Sequence, residues 1–109
     1  MRRGDVVTVA AAGDYGKPRP AVIVQSDAFP PAHPSVIVCQ MTSELVDVEF
    51  IRLKIDPSAE NGLRVASQIM VDKPATVHRA RIGSRIGRLS ERDLNRLDVA
   101  LTWVMGLGG

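Results

Sequence analysis

Short apolar runs, each closed by turn-forming residues, divide this chain into strand-sized pieces until its last fifth, where the spacing becomes helical. Gly4-Asp5 leads into Val6-Val7-Thr8-Val9-Ala10-Ala11, a first strand. Residues 12–18 carry Gly13, Asp14 and Gly16 and predict an exposed, mobile loop. A second strand runs through Ala21-Val22-Ile23-Val24 and is closed by Gln25-Ser26-Asp27. Prolines at 30, 31 and 34 keep residues 29–34 out of regular structure. Residues 35–41 form a third strand centred on Val36-Ile37-Val38-Cys39, with Thr42-Ser43 at its end.

The alternation then slips. Val46, Val48 and Phe50 are in one phase, and Ile51, Leu53 and Ile55 are in the other. A single strand cannot keep both sets on one face, so a turn or bulge is expected near Phe50. Asp56 and Asn61-Gly62 bound a further loop, residues 63–71 read as another strand, and Asp72-Lys73-Pro74 is expected to break it before an extended piece over 75–78. The C-terminal pattern is different. Ser90 is placed to cap a helix with acidic residues in its first turn, and Leu89 and Leu94 have the spacing of a hydrophobic staple. Leu94, Leu97, Leu101 and Val104 share one face, and Gly106 is a natural stop. The fold class is β-rich α+β: a compact, mostly antiparallel barrel or curled sheet with a C-terminal helix and irregular loops on one rim.

Composition narrows this only slightly. At 109 residues, with 45% hydrophobic and 24% charged positions, the chain is one domain over 1–109 with a single modest core. The net charge of +2 permits a local basic surface without requiring nucleic acid. A single cysteine, Cys39, excludes an intrachain disulfide and a multi-cysteine metal site. No apolar run reaches membrane-span length and no signal-like leader opens the chain, so a cytoplasmic protein with no membrane partner is expected.

Standard hydrolase and nucleotide motifs are missing, and His33 and His78 read as ordinary surface residues. The polar residues at strand ends remain: Arg19, Thr42-Ser43, Ser67-Gln68 and Asp72-Lys73. In Lys17-Pro18-Arg19-Pro20, two prolines stiffen the backbone around one guanidinium at the start of a core strand. That is either a solvated strand start or a rigid cationic fork for phosphate or carboxylate. A phosphodiester under attack needs a cation and hydrogen-bond donors on its non-bridging oxygens. Arg19 can supply the first and the Thr42 and Ser43 hydroxyls the second, although those hydroxyls equally suit a local turn. If the substrate is RNA, its own 2′-OH is the nucleophile and no Ser-His or Cys-His pair is required. Arginine stays protonated, so it stabilises charge and does not act as a good general base.

Taken in order, these segments resemble the MazF/PemK/Kid family of toxin endoribonucleases. The resemblance is carried by Arg3-Gly4-Asp5-Val6-Val7, by Lys17 to Asp27 with its Arg-Pro strand start, and by Thr42-Ser43 closing a strand. Asn61-Gly62-Leu63 before Ser67-Gln68-Ile69, and Ile86-Gly87-Arg88-Leu89-Ser90 at the last helix, extend it over nearly the whole chain. It implies an SH3-like small antiparallel barrel forming a homodimer. Such a protein cleaves single-stranded RNA without metal or other cofactor, which inhibits translation and growth, and a cognate antitoxin neutralises it. The implied catalytic pair is Arg19, for charge stabilisation and proton transfer, and Thr42, on the phosphate; Lys17, Ser43, Ser67, Gln68, Asp72 and Lys73 are implied to bind RNA. The chain departs from some members at Met70, where they carry arginine, at Ala75, where a basic residue is common, and in lacking a histidine over 12–18. Two alternatives share the fold. One is a CcdB-like gyrase poison acting through the helix end near Trp103 and Gly106, and the other a non-catalytic SH3-like binding module.

Overall fold

The computed structural model describes residues 1–10, 17–48 and 50–108. Its strands are β1 (Asp5–Val9), β2 (Arg19–Ile23), β3 (Ser35–Thr42), β4 (Arg52–Ile55), β5 (Ser67–His78) and β6 (Ile82–Arg88), followed by the helix α1 (Glu91–Met105). All pairings are antiparallel, in the order β4-β5-β3-β2-β1-β6. The two edges of this sheet do not stay apart. The loop leaving β4 reaches β6, where Arg88 N–H donates to the Glu60 carbonyl at 2.9 Å. A Cβ on Gly87 would lie 2.3 Å from the Asn61 carbonyl, so only glycine permits the contact that rolls the sheet toward a barrel.

Strand alternation sorts the apolar residues into two cores. Val6, Val22, Cys39, Ile69 and Leu53 face α1, which contributes Leu97, Ala100 and Leu101. Val7, Val9, Ala21, Ile23, Val36 and Val38 fill the opposite face. The helix forms where its local signals place it. Ser90 Oγ accepts from the Asp93 N–H at 3.1 Å, and Gly106 stops the helix in the left-handed region at φ 69°.

Three expectations need correction. Residues 63–66 are not strand, because the buried Asn61 side chain ties this stretch into a turn by accepting from the Ser58 and Leu63 N–H groups. Nor does Asp72-Lys73-Pro74 end β5. The strand continues to His78, with its register against β3 shifting between Cys39 and Met41, so the extra residues form a bulge. Val46 and Val48 lie outside any strand, while the turn anticipated near Phe50 is present just before β4. The strand β6 was not anticipated from its Gly-rich sequence. Most of the loop expected over 12–18 falls outside the described residues, which resume at Lys17.

Candidate active site

Register decides what the sheet assembles. β2 and β3 pair Ala21 with Gln40 and Val22 with Cys39, and continuing that register two residues brings Arg19 level with Thr42. By alternation both belong to the face that carries Ala21, Ile23, Val36 and Val38. Arg19 is the exposed first residue of β2, and Thr42 is the half-buried last residue of β3. The Thr42 hydroxyl accepts from the Glu44 N–H at 3.1 Å. It therefore serves the local turn and is oriented by it, and a hydroxyl that accepts one bond still has its proton to donate. Ser43 is exposed beside it, and Lys17 is exposed two residues ahead of Arg19.

On the other side of β3, Thr42 pairs with Gln68, which in turn pairs with Lys54 of β4. Four strands thus place Arg19, Thr42, Gln68 and Lys54 in one row. Gln68 is buried, and its amide is used inside the chain. Oε1 accepts from the Val46 N–H at 2.9 Å, and Nε2 donates to the Val46 carbonyl at 2.7 Å. Ser67 is buried too, donating to the Val65 carbonyl at 3.1 Å. These two residues hold the walls of the site and offer little surface to a ligand.

Asp72 and Lys73 are not brought into this row. They lie in the bulge between the Met41–Ile69 and Cys39–Pro74 pairs, two to three residues along β3 from Thr42, or roughly 7–10 Å at strand spacing. Asp72 is held by an ion pair with Arg52, whose NH1 also donates to the Ile51 carbonyl at 3.0 Å. Sequence reasoning missed Arg52 as a partner, though its alternation with Leu53 marked it as facing away from the core. Burial, reinforced by the nearby Asp72 charge, pushes the Cys39 thiol up to about 11, so it has no nucleophilic part in the site. Among the described residues no group of three or more His, Cys, Asp and Glu side chains is placed to hold a metal ion. Among them, too, no helix is long and apolar enough to cross a membrane.

Residues 2–105 match the family described as PemK-like, MazF-like toxin of type II toxin-antitoxin system. The chain belongs to that family. It is 44% identical over 110 residues to a probable endoribonuclease MazF of Mycolicibacterium smegmatis, with both chains covered in full. The fold matches the Mycobacterium tuberculosis toxin MazF-mt6 with a TM-score of 0.81 at 22% identity, covering 96% of this chain and 99% of that one. An endoribonuclease in complex with its cognate antitoxin, from mycobacterial species, matches with a TM-score of 0.82 at 20% identity, covering 100% and 98%. Membership of the PemK/MazF-like family selects the endoribonuclease toxin over the gyrase poison and the inert binding module.

Proposed function

We propose that this endoribonuclease toxin cuts single-stranded RNA at a site built on Arg19 and Thr42. The observation that supports this is their placement at one level and on one face of adjacent strands. Cross-strand neighbours at such positions lie about 5 Å apart at Cβ, so both can reach one phosphate group. The substrate's 2′ oxygen attacks phosphorus; the O2′–P bond forms as the P–O5′ bond breaks. One proton leaves O2′ and one is taken up by O5′. The fragments end in a 2′,3′-cyclic phosphate and a 5′-hydroxyl. Arg19 faces the charge that develops on the non-bridging oxygens, and its fixed fork can donate to two of them. The Thr42 hydroxyl donates to the same group, with Ser43 and Lys17 beside them to hold neighbouring phosphates. Because the nucleophile belongs to the substrate and the cation to the chain, the scheme requires no metal.

The reading extends to partners. A basic toxin with a sequence pI near 9.1 suits an acidic antitoxin segment, by charge complementarity. Met105 and Leu107 at the helix end are exposed apolar residues and suit a second copy of the chain in a homodimer. The compartment is the cytoplasm, where messenger RNA is the available single-stranded substrate. Incubating purified protein with a long transcript and mapping the new 5′ ends tests the central claim. Discrete cuts that vanish in Arg19→Ala are expected, and uncut RNA with folded wild-type protein would overturn it.

A further inference from the structure

A concavity of about 940 Å³ opens at Gln68, next to Thr42 in the row, and is walled by β4, by Val46, Asp47, Val48 and Phe50, and by α1. Three features of this groove match a nucleic-acid strand. First, Arg52, Lys54, Arg92 and Arg96 line it, with Arg52 ion-paired to Asp72, and Asp47 is the one acid among the described lining residues. Arg96 is fixed against the wall by bonds from its NH1 to the Lys54 carbonyl at 3.1 Å and to Asp93 at 2.8 Å. Second, Phe50 and Trp103, both in the lining, stack on each other, centroids 5.3 Å apart and 28° between planes, although each is more than 60% exposed. The rest of the wall is largely apolar, from Val46, Val48, Leu53 and Val99, and exposed aromatic faces beside cationic side chains are what unpaired bases stack on. Third, Asn95 lines the same groove with an amide suited to base edges.

Continuity decides the occupant. The register row carries the floor from Thr42 through Gln68 to Lys54, so a strand whose phosphate sits at Arg19 and Thr42 can continue into the groove. A second copy of this chain would bring the same four basic side chains against these, whereas Met105 and Leu107 are exposed outside the lining. We propose that this groove holds the RNA flanking the scissile bond, with Lys54, Arg92 and Arg96 on phosphates and the Phe50–Trp103 pair stacking a base. The proposal rests on the endoribonuclease reading and adds to it a determinant of RNA affinity and sequence preference.

Trp103 is the chain's one tryptophan, so its fluorescence reports on the groove alone. The probe is an oligoribonucleotide carrying a mapped cleavage site with a 2′-deoxy substitution at the attacked nucleotide, which binds without being cut. Saturable quenching of Trp103 by this probe is expected. Trp103→Ala and Phe50→Ala should each weaken binding by about tenfold or more, the scale of a lost base–aromatic stack. Lys54→Gln and Arg92→Gln should each lower the slope of log affinity against log salt by about 0.7, the value for one phosphate contact on a single strand. With cleavable RNA, these losses should appear in KM while the saturating single-turnover rate stays within about twofold. If RNA binds and is cleaved while Trp103 emission is unmoved and the variants bind normally, the groove assignment is overturned and the active site stands. If wild-type protein cuts no RNA, the endoribonuclease reading fails first. Emission that follows protein concentration or an added acidic antitoxin, and not RNA, gives the groove to a protein partner and overturns the proposal.

Discussion

Gln68 and Val46 are joined by two hydrogen bonds, the side-chain amide of one serving as a strand partner to the backbone of the other. Residues 44–48 lie outside the strands, and this pair ties them, through Val46, to the start of β5 beside Thr42. Gln68→Glu keeps the length and the bond accepted from the Val46 N–H but sets a carboxylate oxygen against the Val46 carbonyl. We expect a loss of about 1–2 kcal/mol, the scale of one broken and one strained bond. Hydrogen exchange at the amides of this loop should rise more than elsewhere, and RNA cleavage should slow with it. Unchanged exchange would show that the loop is held by other means.

Asp5 gives a pH dependence. Burial alone would raise its pKa, but the Arg2 N–H at 2.8 Å, Arg88 and Arg85 all donate to it and hold the carboxyl below its ordinary value of 3.8. A carboxylate with a depressed folded pKa contributes stability that is complete above the unfolded value and is lost as pH falls through the folded one. Asp5→Asn should therefore cost about 2 kcal/mol at pH 7, near 10 °C in melting temperature, and progressively less below pH 4. Thermal melts from pH 7 to pH 3 check this, and a penalty that does not change with pH would refute it.

Much of this architecture was legible because its causes are local. Ser90 and Gly106 bound α1 by chemistry within one turn of themselves, and Val36-Ile37-Val38-Cys39 could be nothing but buried strand. The Arg-Pro start of β2 and the Thr-Ser end of β3 identified both members of the candidate pair. Their being level was not legible, because register is set by pairing across the sheet. Pro74 misled for a related reason. A proline inside a strand usually signals a break, but here it lies in a bulged, exposed stretch where the missing N–H costs little. Ser67 and Gln68 suggested ligand contacts as polar residues at a strand start; the structural part of Gln68, its amide bonded to Val46, 22 residues away, leaves no local trace. The Phe50–Trp103 stack joins residues half the chain apart and leaves no periodic trace.

Cleavage should persist in excess chelator. The proposed scheme takes its nucleophile from the RNA and its positive charge from Arg19, so removing divalent ions removes nothing the reaction uses. Equal rates with and without EDTA in a single-turnover assay are the expected result. Activity abolished by EDTA and restored by magnesium or zinc would replace this mechanism with a metal-assisted one.

The homodimer is testable at the helix end. Met105→Glu with Leu107→Glu places two charges on exposed apolar positions outside the folding core, so the monomer should remain folded. Sedimentation should shift from dimer to monomer at micromolar concentration. A wild-type protein that sediments as a monomer with full activity would remove the dimer from the account.

The strongest test concerns Arg19 and Thr42 together. If both act on one scissile phosphate, Arg19→Ala deletes the cation facing the transition state and should slow cleavage by roughly a hundredfold or more, the scale of a single lost oxyanion donor. Arg19→Lys should restore only part of this, since an ammonium lacks the planar two-donor fork. Thr42→Val keeps the β-branched shape and removes the hydroxyl, so it also frees the Glu44 N–H that the hydroxyl now satisfies. Its melting temperature should fall by a few degrees at most, because that amide is exposed to water, while its rate falls by about tenfold or more. The double variant should be little slower than the poorer single one, because groups acting on one phosphate as a unit lose their effect together. Single-turnover cleavage of a labelled RNA, run beside thermal melts, measures all four. Independent, multiplicative losses would place the two residues on different phosphates, and a near-normal rate in folded Arg19→Ala would remove this pair from the chemistry.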